Sequence, residues 1–369
     1  MPPIRTAPRR WRARCAITGV LAAVALLCGT LPVGARTGLN WITLPSLPKA
    51  RADLGAAAAP CPRGQSGSCL YAVGGWNSGL LATVQAYNQR TNAWSTLPDL
   101  PTPRYGLAAA AAPCPDGQAG TCVYALGGFA ASGRVATVQS YNPSTGGWTT
   151  VTSLGTARAY PGAAAAPCPA GQTGTCLYAV GGDNGGSNIL ASVEAFNPVT
   201  RTWTTLTPLH TARQALGAAA AACPAGQTGT CVYAVGGLDS AGHVTGAVES
   251  YNPVTRSWTT LAALPVPLAT PVVAATTCPP GQQGTCVYAA TGIGTGVGGP
   301  QADAQSYNPL SRVWTTLPSA PTARQEAAGA ALPCPPGTTG NCVFVVGGFG
   351  TSGVLDTVQA LDPPVTGGR

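Results

Sequence analysis

Two markers recur along this chain with one shared drift. Tryptophan stands at positions 41, 94, 148, 203, 258 and 314, at intervals of 53, 54, 55, 55 and 56 residues. A glycine pair stands at 74–75, 127–128, 181–182, 236–237 and 347–348, with Thr291-Gly292 in the remaining slot, and its intervals are the same five numbers. Unrelated markers sharing one drift mean a single unit repeated in tandem. A period of about 50 residues with a glycine pair and an aromatic marker predicts a propeller array. With 49 Gly, 35 Pro and only 8% charged residues, the composition suits a turn-rich all-β chain and argues against a coiled coil or a disordered tail.

Each unit divides into four short strands. In the first complete unit strand a is predicted over Gly55 to Ala59, b over Leu70 to Val73, c over Ala82 to Tyr87 and d over Ala93 to Leu97. Pro, Gly and Asn clusters separate them, as a four-stranded blade requires. Small residues in strand a suit the crowded central axis. The apolar b strands suit burial between neighbouring blades, and Tyr87 with Trp94 reads as a core aromatic pair. The ends settle the topology. Trp41 lies in a d strand with no a, b or c before it, and the last unit stops after its c strand. Asn40 to Leu44 is therefore expected to complete the sixth blade and close the ring, leaving no open edge. The expectation is an all-β, six-bladed β-propeller spanning 36–369.

Residues 1–35 read as a leader. They carry Arg5, Arg9, Arg10, Arg12 and Arg14 without an acid, then an apolar run from Ala16 to Leu27, then Val33 and Ala35 at the small-residue positions of a cleavage site. That is the plan of a secretory signal peptide, and the run is short for a bilayer span. Without it Lys+Arg falls from 19 to 14 against 11 Asp+Glu, so the mature charge is 14 − 11 = +3. No basic stripe remains for nucleic acid. The expected location is secreted or at the cell surface, with no membrane span in the mature chain.

The pattern Gly-Gly, then Tyr-Asn-Pro, then a Trp with six residues between it and the Tyr, then a Pro-rich turn with Arg, resembles the Kelch repeat. Gly127-Gly128, Tyr141-Asn142-Pro143 and Trp148 form one instance; Gly236-Gly237, Tyr251-Asn252-Pro253 and Trp258 form another. The resemblance implies a β-propeller of Kelch blades but not one chemistry, because such folds host binding modules and several enzymes.

Twelve cysteines fall between strands a and b as Cys61 and Cys69, Cys114 and Cys122, Cys168 and Cys176, Cys223 and Cys231, Cys278 and Cys286, Cys334 and Cys342, each pair with seven residues between its members. They flank Pro- and Gly-rich hairpin turns, so six intra-repeat disulfides are expected in an oxidising compartment. Structural zinc would want tighter spacing and histidine.

In a four-stranded blade the d–a and b–c loops share one face. Ten residues before the first Cys of each pair stands an Arg: Arg51, Arg104, Arg158, Arg213 and Arg324, with Leu268 in the fifth unit. Five guanidiniums near one mouth would attract an anionic group such as a carboxylate or acidic sugar. The competing reading has each Arg bonded to carbonyls of an adjacent blade. Loop residues that vary between units are the better recognition candidates: Trp76, Asn77, Tyr105, Phe129, Arg134, Tyr160, Asp183, Asn184, Asp239, His243 and Phe349. The fifth unit's b–c segment, 292–301, reads as a flexible, featureless loop.

Enzymatic readings are weaker. Kelch-type galactose oxidase uses copper held by His and Tyr, whereas only His210 and His243 exist here and no Cys is spare. A Kelch-type N-acetylneuraminate mutarotase would need an Arg–acid proton relay, for which Arg324 and Glu326 are the nearest match. No triad spacing is present. The expected function is a noncatalytic binding module, without cofactor or metal, for an unidentified protein or glycan at the d–a/b–c face.

Overall fold

The computed structural model describes residues 38–115, 117–186, 188–295 and 298–362. The leader expected over 1–35 lies outside them. Among the described residues no helix is long and apolar enough to cross a membrane.

Strands dominate because the repeat supplies short apolar runs punctuated by turn residues. Blade 1 consists of a (Gly55–Pro60), b (Ser68–Val73), c (Val84–Asn88) and d (Ala93–Leu97). Blade 2 consists of Ala108–Pro113, Thr121–Leu126, Val138–Asn142 and Gly147–Val151; blade 3 of Gly162–Pro167, Thr175–Val180, Val193–Asn197 and Thr202–Leu206. Blade 4 consists of Gly217–Ala222, Thr230–Val235, Val248–Asn252 and Ser257–Thr260; blade 5 of Val272–Thr277, Thr285–Gly294, Pro300–Asn308 and Val313–Leu317. Blade 6 takes a, b and c from Ala328–Pro333, Asn341–Val346 and Val358–Asp362, and its d strand from Asn40–Leu44 at the other end of the chain. All neighbours within a blade are antiparallel, and the closing ladder runs from Asn40 opposite Asp362 to Leu44 opposite Val358. The predicted strands, blade count and closure hold; observed strands differ from expectation by a residue or two at their ends.

The core lies between blades. Tyr71 of blade 1 packs on Tyr141 of blade 2 at 6.1 Å between ring centres, and Phe344 of blade 6 packs on Tyr87 of blade 1 at 6.2 Å. Within blades Tyr87 meets Trp94 at 5.3 Å, and Tyr141–Trp148, Tyr251–Trp258 and Tyr307–Trp314 repeat that distance. Each strand-d Trp indole N–H donates to a backbone carbonyl of the preceding d strand's exit. Trp94 reaches Pro45 at 2.8 Å, and Trp41 reaches Pro318 at 2.8 Å, so the seam carries the same bond as every other junction. These rings combine large apolar area with one polar handle, which is why one residue type can mark each blade.

All six expected disulfides are formed, with Cα separations of 4.7–5.0 Å. The fifth unit's b–c segment departs from expectation. It is not featureless: b and c run on past their usual ends, pairing Gly292 with Gln301 and Ile293 with Pro300 beyond a bulge at Ala290/Gly292.

Candidate functional site

The d–a and b–c loops do share one face, where short antiparallel bridges join them. Ala52 pairs with Trp76, Tyr105 with Phe129, Ala159 with Asp183, Gln214 with Leu238 and Gln325 with Phe349. The residue after each Arg position thus sits beside the residue after each glycine pair.

The five arginines occupy this face but do not point into it. Each is fully buried. Arg51 donates from Nη1 to the carbonyls of Gly74 (3.1 Å) and Thr83 (2.7 Å), and from Nη2 to Gln85 Oε1 (2.6 Å). Arg213 and Arg324 repeat the scheme on Gly236, Ala247 and Glu249, and on Gly347, Thr357 and Gln359. Arg104 bonds Ala125 O and Gln139 Oε1, while Arg158 pairs with Glu194. Burial lowers all five; Arg51, Arg104 and Arg324 come down to about 10, which leaves them charged at neutral pH. The expectation of five ligand-facing guanidiniums is therefore corrected. The bonded carbonyls belong to the blade the Arg leads into, and together with the strand-c side chains they engage the Nη donors that an anion would need.

The Arg main chain provides the link to the preceding blade. Gly75 N–H donates to Arg104 O at 2.9 Å, and Gly348 N–H donates to Arg51 O at 2.8 Å across the seam. A Cβ on Gly74 would stand 2.7 Å from Arg104 O, and φ there is +60°, so the first glycine of the pair is needed for this approach. Leu268 can fill the fifth slot because its carbonyl suffices for Gly237 (2.9 Å). Gln305 bonds Val266 N and O, each at 3.0 Å, and its Oε1 accepts a backbone N–H as Glu194 and Glu249 do in blades 3 and 4.

Two residues past each Arg position the chain turns inward through a left-handed residue. Asp53, Gly106, Tyr160, Ala215, Thr270 and Glu326 have φ between 50° and 59° and ring the central axis. Their amides bond head to tail: Asp53 to Glu326 O, Gly106 to Asp53 O, Tyr160 to Gly106 O, Ala215 to Tyr160 O and Thr270 to Ala215 O, at 2.7–2.9 Å. Thr270 Oγ1 takes the sixth amide, Glu326 N–H, at 3.1 Å. Because the strain is common to all blades it belongs to the fold, whereas the side chains differ and give the mouth its chemistry.

That mouth opens on a pit of about 130 Å³ at the axis. The Tyr160 phenol faces the Asp53 carboxylate. Its ring crosses over Gly106, where a Cβ would lie 3.0 Å from ring carbons. Asp53 is raised to about 8, first by burial and then by Glu326, against the Tyr160 hydroxyl, which lowers it. Burial also raises Glu326, whose Oε1 accepts from Gln325 at 3.1 Å. No repeated residue type marks Asp53 in the sequence; its offset of two from Arg51, shared by Tyr160 from Arg158 and Glu326 from Arg324, is the available signal.

Outside the pit the variable loops cluster on blades 1 to 3. Phe129 and Tyr105 rings lie 5.3 Å apart, and Tyr105 meets Tyr160 edge-on at 6.3 Å. Arg134 sits 5.3 Å over Phe129 and reaches Asp183 Oδ2 from Nε at 3.0 Å, tying blade 2 to blade 3. Asp183, buried, is thus a structural partner as well as a mouth residue. Trp76 is 39% exposed, and Asn77 bonds Ala50 O at 2.9 Å. His243 is exposed beside Asp239 (3.7 Å), while His210 Nδ1 lies 3.0 Å from Glu249 Oε2, so the two imidazoles have different carboxylate neighbours. Among the described residues one group of three potential metal ligands occurs, Cys334, Cys342 and Asp362, and its sulfurs are joined in a disulfide.

Comparison with known proteins agrees with this architecture. The chain matches the KLHDC2/KLHL20/DRC7 Kelch-repeats domain model over residues 63–276. It is 31% identical over 177 residues to Kelch-like protein terF of Aspergillus terreus, covering 45% of this chain and 34% of that protein. It is 23% identical over 308 residues to human Kelch-like protein 23, covering 81% and 47%. It therefore spans about a third to a half of the curated relatives it matches. Among solved structures it is similar to "Structure of YjhT", with a TM-score of 0.61 at 16% identity over 85% of this chain and 95% of that one, a likeness of fold. With a family match over more than half its length and six blades, five of them carrying the glycine pair, the chain belongs to the Kelch-repeat family.

Proposed function

We propose that this protein is an extracytoplasmic, noncatalytic binding module whose d–a/b–c mouth engages a protein or glycan. Membership of the Kelch-repeat family supports an interaction role, and six disulfides are compatible with an oxidising compartment. One observation carries the assignment to the mouth. Residues that repeat in every blade are spent inside the wall, while those that differ are what this face displays: Trp76, Tyr105, Phe129, Tyr160 and His243. Large amphipathic rings beside polar groups are the common currency of recognition surfaces.

The test is an array of peptides and glycans probed with the mature protein, followed by Trp76→Ala and Phe129→Ala. Ligands retained at full strength by both variants would move the binding surface elsewhere. A second reading, an acidic-sugar mutarotase or related carbohydrate enzyme, is favoured by Glu326 and Asp53 lining one pit, although Arg324 is engaged in the wall. It requires anomer exchange of N-acetylneuraminate that disappears in Glu326→Gln. Binding without exchange supports the module.

A further inference from the structure

The charge of the mouth is opposite to what its five arginines suggest. All five guanidiniums are sealed in the wall, and among the described residues lining the axial pit there is no Lys, Arg or His. The ionisable groups that do line it are the carboxyls of Asp53 and Glu326 and the phenol of Tyr160. One wall leads outward through Tyr160 to Tyr105 and Phe129, a continuous run of rings. Carboxyls lining the pit and ring faces beside it suit a cation, which gains from both.

Volume decides the kind of cation. A pit of about 130 Å³ holds roughly four water-sized groups at ~30 Å³ each. The ammonium of a lysine side chain with its last methylenes is of that size. A pyranose, with about a dozen heavy atoms, would extend out of the pit. Resting on the reading of the mouth as a binding surface, we propose that the axial pit captures a lysine side chain of a partner protein, with Asp53 and Glu326 receiving the ammonium and the Tyr160–Tyr105 rings lining its stem. This selectivity carries a signature. Asp53 is held up to about 8 in the free protein, and an entering cation favours its carboxylate. Capture near pH 7 therefore expels a proton, and affinity climbs from pH 6 to pH 8.

The probe is an N-acetylated, C-amidated Gly-Lys-Gly tripeptide, compared with its side-chain-acetylated form and with N-acetylneuraminate. Binding to the full mature protein is followed by ligand-observed NMR and by calorimetry in two buffers of different ionisation enthalpy. The free amine is expected to bind with proton release, and acetylation to weaken it by roughly tenfold or more through loss of the charged partner. Asp53→Asn is expected to show the same loss together with a shallower pH profile, the remainder belonging to Glu326. Should that variant fail to fold, the acetylation and pH comparisons on the parent protein decide alone. Equal binding of the acetylated peptide, tighter binding of the anionic sugar, or affinity that does not rise between pH 6 and 8 overturns the proposal. An array ligand lost on Trp76→Ala but lacking any amine would leave the binding module standing and remove only its selectivity for lysine.

Discussion

A guanidinium buried in a propeller wall needs acceptors for its Nη groups, and the partner chosen differs between blades. Arg104 meets the neutral amide of Gln139, whereas Arg158 meets the buried carboxylate of Glu194, which also accepts from Gly155 N–H at 2.6 Å. Arg104→Met leaves neutral acceptors unpaired, at a cost of about 1–3 kcal/mol. Arg158→Met strands a buried charge and is expected to cost about 3–5 kcal/mol. Urea unfolding of both variants checks the order; a reversed order would remove the ion pair as the explanation. The carboxyls of the pit act in the opposite sense to ordinary surface acids. Asp53 lies near 3.8 in an unfolded chain and near 8 in the folded one, so folding favours its protonated form. Its contribution is fully present below about pH 4 and is lost as pH rises through 8. Glu326, raised too, adds in the same direction. The melting temperature should fall from pH 4 to pH 8, and Asp53→Asn should flatten that fall. At this scale the sequence places the arginines on the d–a connection and leaves two directions open, an outside anion or backbone carbonyls; their burial and bonded carbonyls decide for the second.

The a–b hairpin is the most self-contained element, and three features hold it. A disulfide closes its neck, Cys61 N–H donates to Gly67 O at 3.0 Å, and Asn88 at the end of strand c bonds Gln65 in the turn at 3.0 Å. The Asn–Gln bond recurs as Asn142–Gln118, Asn197–Gln172, Asn252–Gln227 and Asn308–Gln282. Replacing Cys168 and Cys176 together by Ala should lower stability by roughly 2.5 kcal/mol on the chain-entropy estimate, since a nine-residue loop is released. The hairpin itself should persist through Asn197, which amide exchange would report. Non-reducing peptide mapping should recover all six bridges within their own repeats, and scrambled pairs would contradict the register. These elements were legible because their determinants are local: a Pro-Gly turn, a fixed Cys spacing, an alternating strand. Blade 5 was not. Its Leu268 keeps only the main-chain link of the missing Arg, through its carbonyl, and its extended hairpin depends on pairing across a segment whose glycines read as slack.

A propeller has one junction where the chain does not run straight on, and here it lies inside blade 6, between the end of strand c and Asn40–Leu44. Everything else around the ring is repeated with local means, so this ladder decides whether the sixth junction equals the other five. The structure answers with the same bonds used elsewhere: Gly348 N–H to Arg51 O, Trp94 to Pro45 and Phe344 on Tyr87 across the blade 6–blade 1 junction, and Trp41 to Pro318 across the blade 5–blade 6 junction. Ile42 and Leu44 pack on the core formed by Leu47, Leu70, Val358 and Ala360, so the strand contributes apolar area as well as hydrogen bonds. The topology was legible because a d strand at one end and a missing d at the other are complementary deficits. The pit was not, since its walls come from six connections spread over the whole chain. Removing residues up to Leu44 from the mature protein should bare the Val358–Asp362 edge, lower the melting temperature by roughly 10 °C or more for the loss of several kcal/mol, and promote association through the open strand. Differential scanning calorimetry with size-exclusion chromatography reads both effects. A truncated protein that melts with its parent and stays monomeric would mean that closure depends on the inter-blade contacts alone, with the borrowed strand contributing nothing.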